Sequence, residues 1–132
     1  MDNFLKLPFE MTTSEFIANV AKGLRGSIIE LKAFSNPPIL VLRVVQALCV
    51  LMGIQDPQWA DCKKLLSNAG LQKRIVNFDR DNVSDATLAN LRQYTRAGFN
   101  VDDISRNSAA AGNLAAWVLA IDYYCLRKEL SD

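Results

Sequence analysis

Two carboxylate pairs, Asp79/Asp81 and Asp102/Asp103, are the groups best spaced for general acid–base work. Each has a simpler role. Asp79 and Asp81 fall in a polar, turn-like segment, and Asp102 and Asp103 open a helical run, where carboxylates favour the helix dipole. The chain has no histidine, so it has no imidazole base and no histidine metal ligand. Its three cysteines, Cys49, Cys62 and Cys125, are odd in number and widely spaced, which gives neither a disulfide framework nor a zinc site. That usage suits a reducing compartment. Cys62 lies beside Lys63-Lys64, a setting that can lower a thiol pKa. It also shares a helix face with Trp59 and Leu66, and packing explains it better. Gly23 and Gly26 lack the strand and the Lys-Ser/Thr pair of a phosphate loop. These residues imply no enzyme chemistry, no cofactor and no metal.

The charge pattern says more about partners. Net charge is +1, but 12 basic and 8 acidic residues lie between Lys22 and Arg106, against 3 and 6 in the two ends. A mildly basic middle suits an acidic partner. Lys63-Lys64 and Lys73-Arg74 lack the interleaved aromatics of a nucleic-acid surface, so no nucleic acid is expected. The apolar run Ile39 to Ile54 is too short to span a bilayer and is interrupted by Arg43 and Gln46, so no membrane is expected either. No basic region followed by an apolar core marks the N-terminus as a signal peptide.

The elements that must position these residues are helical throughout. The 132 residues suit one domain with a sizeable core, and no useful β-alternation or repeat appears. Residues 1–13 read as a lead-in, and 14–130 as the domain. Phe16, Val20, Leu24, Ile28, Leu31 and Phe34 recur at three or four residues, one stripe of a first helix. Gly23 and Gly26 weaken it by roughly 1 kcal/mol each relative to alanine and invite a kink. Ser35-Asn36-Pro37-Pro38 ends it, because proline lacks an amide donor and clashes with the preceding turn. Pro38 then suits the first turn of a second helix, apolar almost all round, which Gly53 stops. Asp56-Pro57 reads as cap and first position of a third helix ending near Gly70. Leu71 to Phe78 forms a short piece, and Ser84 or Asp85 caps a helix to about Tyr94. The last element starts near Val101 and runs onward. From Leu114 its apolar spacing is 4, 3, 4 through Val118, Ile121 and Cys125, a heptad pattern.

Several stretches in order carry a family resemblance. They are Glu30-Leu31-Lys32-Ala33-Phe34, then Asn36-Pro37-Pro38, then an apolar helix ending in Leu51-Met52-Gly53. Trp59, Ile75-Val76-Asn77-Phe78-Asp79, Arg106, Ala109 to Gly112 and Trp117 follow. Over residues 14–130 the chain resembles the microtubule-binding domain at the tip of the dynein heavy-chain stalk. That resemblance implies an all-α fold: a small bundle of about six helices at the tip of an antiparallel coiled-coil stalk, its terminal helices pairing. It implies docking on α/β-tubulin, with affinity set by the register of the stalk helices. The remaining heavy chain is then a partner, and the ATPase ring lies outside this stretch.

The resemblance also implies a residue set. Arg25, Glu30 and Lys32 match the first helix of the family's track-facing surface. Arg106 matches the basic residue near the start of the last helix. Lys73 and Arg74 stand on the short middle helix that contributes further contacts. Asn36, Pro37 and Pro38 form the corner about which the first helix would shift. Leu24 stands where cytoplasmic members often have lysine, and Asn68 where some carry an arginine. With the Glu-Leu-Lys-Ala-Phe wording, these departures lean toward an axonemal heavy chain, hence the cytoskeleton of a cilium or flagellum. The alternative is a docking surface for an axonemal light chain, with Leu71, Tyr94 and Phe99 as anchors, although these residues read more readily as core or boundary.

Overall fold

The computed structural model describes residues 13–96 and 98–131, so the expected lead-in lies outside it except for Thr13. Eight α-helices follow in order: α1 (Thr13–Lys22), α2 (Arg25–Lys32), α3 (Ile39–Leu51), α4 (Trp59–Leu66), α5 (Leu71–Val76), α6 (Asp85–Tyr94), α7 (Val101–Asn107) and α8 (Ala109–Ser131). A 3₁₀ turn at Arg80–Asn82 joins α5 to α6. The described residues contain no strand.

α3 and α8 form the centre. Val41, Val44, Val45, Leu48 and Cys49 of α3 are fully buried, as are Leu114, Trp117, Val118 and Ile121 of α8. α6, α4 and α7 cover α3, while α1, α2 and α7 lie on α8. Terminal helices α1 and α8 therefore pack together. The heptad-spaced residues of α8 do not form a separate seam, however. Ala115, Leu119 and Ala120 are buried with them, so the bundle surrounds this part of the helix. α8 has the length and hydropathy of a membrane span, but 61% of its apolar window is buried inside the bundle. Core packing accounts for that apolarity.

The helix count exceeds the expected six because two helices that read as continuous are broken. The first breaks at Gly23-Leu24, where the expected kink is a full interruption. Gly23 N and Leu24 N bond back to Val20 O and Ala21 O, and α2 restarts with Ile28 N donating to Leu24 O. Leu24 is 1% exposed, which holds the break against the core. The second break lies at Ser108, whose backbone is extended. Its Oγ accepts from Ala111 N at 3.1 Å and caps α8. Hydroxyl caps favour this geometry because helix starts leave amides unpaired. Asn107-Ser108 was the available signal, but the apolar spacing on both sides hid it.

Two start points also move. Pro38 is the residue before α3, not part of its first turn; its backbone is extended and its carbonyl accepts from Leu42 N at 2.9 Å. α4 starts at Trp59, two residues beyond Pro57. Gln58 and Asp61 form a reciprocal capping box there, which satisfies more amides than an Asp56 cap would. Pro57 instead gives its carbonyl to Gln46 Nε2 at 3.0 Å. Gly53 ends α3 as expected, with φ +98. Gly53 N donates to Val50 O and Ile54 N to Cys49 O, a Schellman closure that needs this left-handed residue. Ser84 caps α6 by accepting from Thr87 N.

The outer part of α8 is tied to the 3₁₀ turn. Tyr124 donates its hydroxyl to Asp81 Oδ1, and Lys128 Nζ donates to Asp81 O at 2.9 Å. The Arg80 guanidinium lies 4.9 Å from the Tyr124 ring centroid. Arg92 of α6 pairs with Asp122 at 3.0 Å. The Tyr124 hydrogen bond, with help from Lys128, holds the Asp81 carboxyl below the usual aspartate range. A carboxyl lowered in this way adds stability above its unfolded pKa, about 4, and loses it as the pH falls through its folded value. Tyr124→Phe should therefore melt slightly below wild type at neutral pH, with the gap closing in acid. A gap that stayed constant down to pH 2 would contradict this tie.

Candidate functional site

Arg25, Ile29 and Lys32 follow one another at four and three residues, so α2 presents them on one face. Ile28 and Leu31 point the other way, into the core. Arg25 and Lys32 are exposed, and Ile29 is 55% exposed between them. Across a groove of about 300 Å³ stand Ser67, Asn68 and Ala69, with Gln72 behind them. Asn68 Oδ1 accepts from Gly70 N at 2.8 Å and shapes this loop. A cation at each end, an apolar residue between and polar groups opposite can hold an acidic surface.

Glu30 is exposed on α2 but does not line this groove. Lys73 and Arg74 line a different one, with Leu51, Met52 and Phe78, and Arg74 Nη2 reaches Met52 O at 3.4 Å. Arg106 sits in the last turn of α7, its side chain 75% exposed and paired with Asp103. Asp103 also joins Asn100 in the cap of α7, so the expected structural role of this acidic pair holds for Asp103. α7 turns back onto the start of α8, where Asn113 Nδ2 meets Ser27 Oγ of α2 at 3.3 Å. The structure thus unites Arg25 with Lys32, sets Lys73 and Arg74 apart, and links Arg106 to α2 through α8. At the corner, Asn36 and Pro38 are exposed and Pro37 is half-buried. Ile39 just after it is 66% exposed.

Burial decides between the readings of several other residues. Leu71 is 1% exposed and Phe99 5%, so neither can anchor a light chain. Tyr94 is half-buried. Cys62 is fully buried and takes a hydrogen bond from Cys49 across 3.6 Å. That bond and burial push the Cys49 thiol far above its ordinary pKa. Sequence reasoning missed Ile29 and Gln72. Ile29 carried a signal, since it stands off the buried stripe through Ile28 and Leu31.

The described residues form an all-helical bundle with cations grouped at the ends of helices. Its class is set by comparison. The family model for the microtubule-binding stalk of dynein motors matches residues 14–127. The chain belongs to this family.

Its relatives are dynein heavy chains. It is 37% identical to human dynein axonemal heavy chain 14 over 101 residues, 76% of this chain and 3% of that protein. It is 38% identical to human dynein axonemal heavy chain 2, over 76% of this chain and 2% of that one. Cytoplasmic dynein 2 heavy chain 1 of Caenorhabditis elegans is 35% identical over 71% of this chain and 2% of its own length. The chain thus spans only a few per cent of these proteins. In fold, it matches a structure described as the microtubule-binding domain of dynein-c, with TM-score 0.70, 23% identity and coverage of 86% of this chain and 85% of that one. The matched region is the stalk domain, distinct from an ATPase ring.

Proposed function

We propose that this chain is a track-docking module: it binds the microtubule, and the register of its terminal helices sets its affinity. The observation that carries this is the groove pairing Arg25 and Lys32 on α2 of a chain whose residues 14–127 match the stalk family. Arg106, Lys73 and Arg74 add cations outside that groove, meeting acidic tubulin groups, and Glu30 excludes wrong registry. The corner Asn36-Pro37-Pro38 links the far end of α2 to α3 and is the point about which α2 shifts. The rest of a dynein heavy chain carries the module, and the greater likeness to axonemal heavy chains supports a place in the axoneme.

Exposed ion pairs contribute about 1 kcal/mol or less each, so several cations share the affinity. Lys32→Glu and Arg106→Glu should each weaken microtubule co-sedimentation roughly three- to tenfold, since a reversal replaces attraction with repulsion. The wild-type affinity should fall with salt, because screening acts first on exposed charges. A folded wild-type chain that failed to sediment with microtubules at low ionic strength would sink the proposal.

A further inference from the structure

One side chain adds a hydrogen-bonded tie where the first helix packs on the middle of the bundle. Gln72, on α5, sends Nε2 to Ala21 O at 2.8 Å and to Lys22 O at 3.4 Å. These are the last carbonyls of α1, where the ladder has given way to shorter-range bonds such as Leu24 N to Ala21 O, so the amide adds a second bond there. Two residues further on, the chain turns into α2 and Arg25. Gln72 also lines the groove wall opposite Arg25 and Lys32. One amide therefore bonds the backbone leading into one wall from a position on the other. Its remaining polar atom, Oε1, is buried and has no hydrogen-bond partner among the described residues. A buried orphan acceptor is costly, so the glutamine is poorly explained by local stability alone.

We propose that Gln72 is the positioning residue of the docking groove. Its bond to the end of α1 sets the spacing between the α2 cations and the 67–69 loop, and carries a displacement of α1 to both walls at once. The break at Gly23-Leu24 gives such a tie its use, beside the packing of α1 on α8 and α5. No continuous helix ladder runs from α1 into α2, so α1 needs another route to the groove. This inference rests on the microtubule reading of the groove, yet its first readout does not depend on it.

The test uses the whole chain with Gln72→Leu, which keeps the bulk and removes the donor, and Gln72→Lys, which restores a donor at the same carbonyls. In the free protein, amide exchange at Gly23 and Leu24 should quicken about tenfold or more in Gln72→Leu and return toward wild type in Gln72→Lys. Microtubule affinity should fall about threefold or more in Gln72→Leu. Exchange unchanged by Gln72→Leu would overturn the tie. Faster exchange with wild-type affinity would overturn the positioning role. A wild-type chain that does not sediment reveals failure of the docking reading itself, before any variant is measured.

Discussion

Trp117→Ala is expected to cost roughly 3–5 kcal/mol, the range for truncating a large aromatic in a core. The whole stability of a domain this size is about 5–15 kcal/mol, so the variant should be largely unfolded at modest urea. Trp117 is fully buried on α8, beside Leu114, Val118 and Ile121. Its ring meets Phe78 edge-on, centroids 5.5 Å apart and planes at 80°. Phe78 lies in the segment after α5 and lines the groove of Lys73 and Arg74. Loss of the indole thus frees the Phe78 wall of that groove as well as the core. Trp117 Nε1 has no hydrogen-bond partner among the described residues. Trp117→Phe forfeits only volume and should cost about 1–2 kcal/mol. Urea unfolding of both variants is the check. A loss below about 1 kcal/mol for alanine would mean that this core is not packed as described.

Gly112→Ala should have the next largest effect, and it reaches the docking surface directly. A Cβ at residue 112 would stand 1.9 Å from Ser105 Oγ, 3.0 Å from its Cβ and 3.1 Å from its Cα. The hydroxyl can rotate away, but the Cα belongs to the backbone of α7. That helix must therefore move off α8. Overpacking of this kind costs about 1–3 kcal/mol. α7 carries Arg106, and the same turn of α8 holds Asn113 against Ser27 of α2. Microtubule affinity should fall with stability, by about threefold or more where the displaced Arg106 loses its contact. Adding Ser105→Gly removes two of the three clashes and should recover much of the melting temperature. An unchanged melting temperature in Gly112→Ala alone would show that α7 sits further from α8.

How far the residues announce this structure depends on whether a signal is local. Gly53 and the Pro37-Pro38 corner are legible because each acts on its own backbone. Ser84 is legible for the same reason, as a hydroxyl just before an apolar period. The breaks at Leu24 and Ser108 are harder, because apolar spacing continues across both and core packing decides that the chain bends. Asp56-Pro57 misleads because the Gln58–Asp61 box satisfies more groups two residues later. The groove is the least legible part. It joins residues 25–32 to 67–72, and no pattern along the chain says that Gln72 will meet Ala21. Arg25 and Lys32 were readable from family resemblance, whereas their separation from Lys73 and Arg74 follows from how α5 packs. Leu71 and Phe99 read as core or boundary before they read as anchors, and the bundle covers both.

The two terminal helices differ in stiffness. α8 runs unbroken from Ala109 to Ser131, bolted at its outer part by Asp81 and Arg92. α1 stops after ten residues at an interrupted ladder. Under a force along the pair, α8 behaves as a strut and the compliance gathers at residues 23 and 24. Load entering through α1 must leave it sideways, into α5 and α8, rather than straight down into α2. An axial load is then carried off α1 by its packing on α8 and α5 and by the Gln72 amide at Ala21 O, with no helix ladder to pass it on to α2.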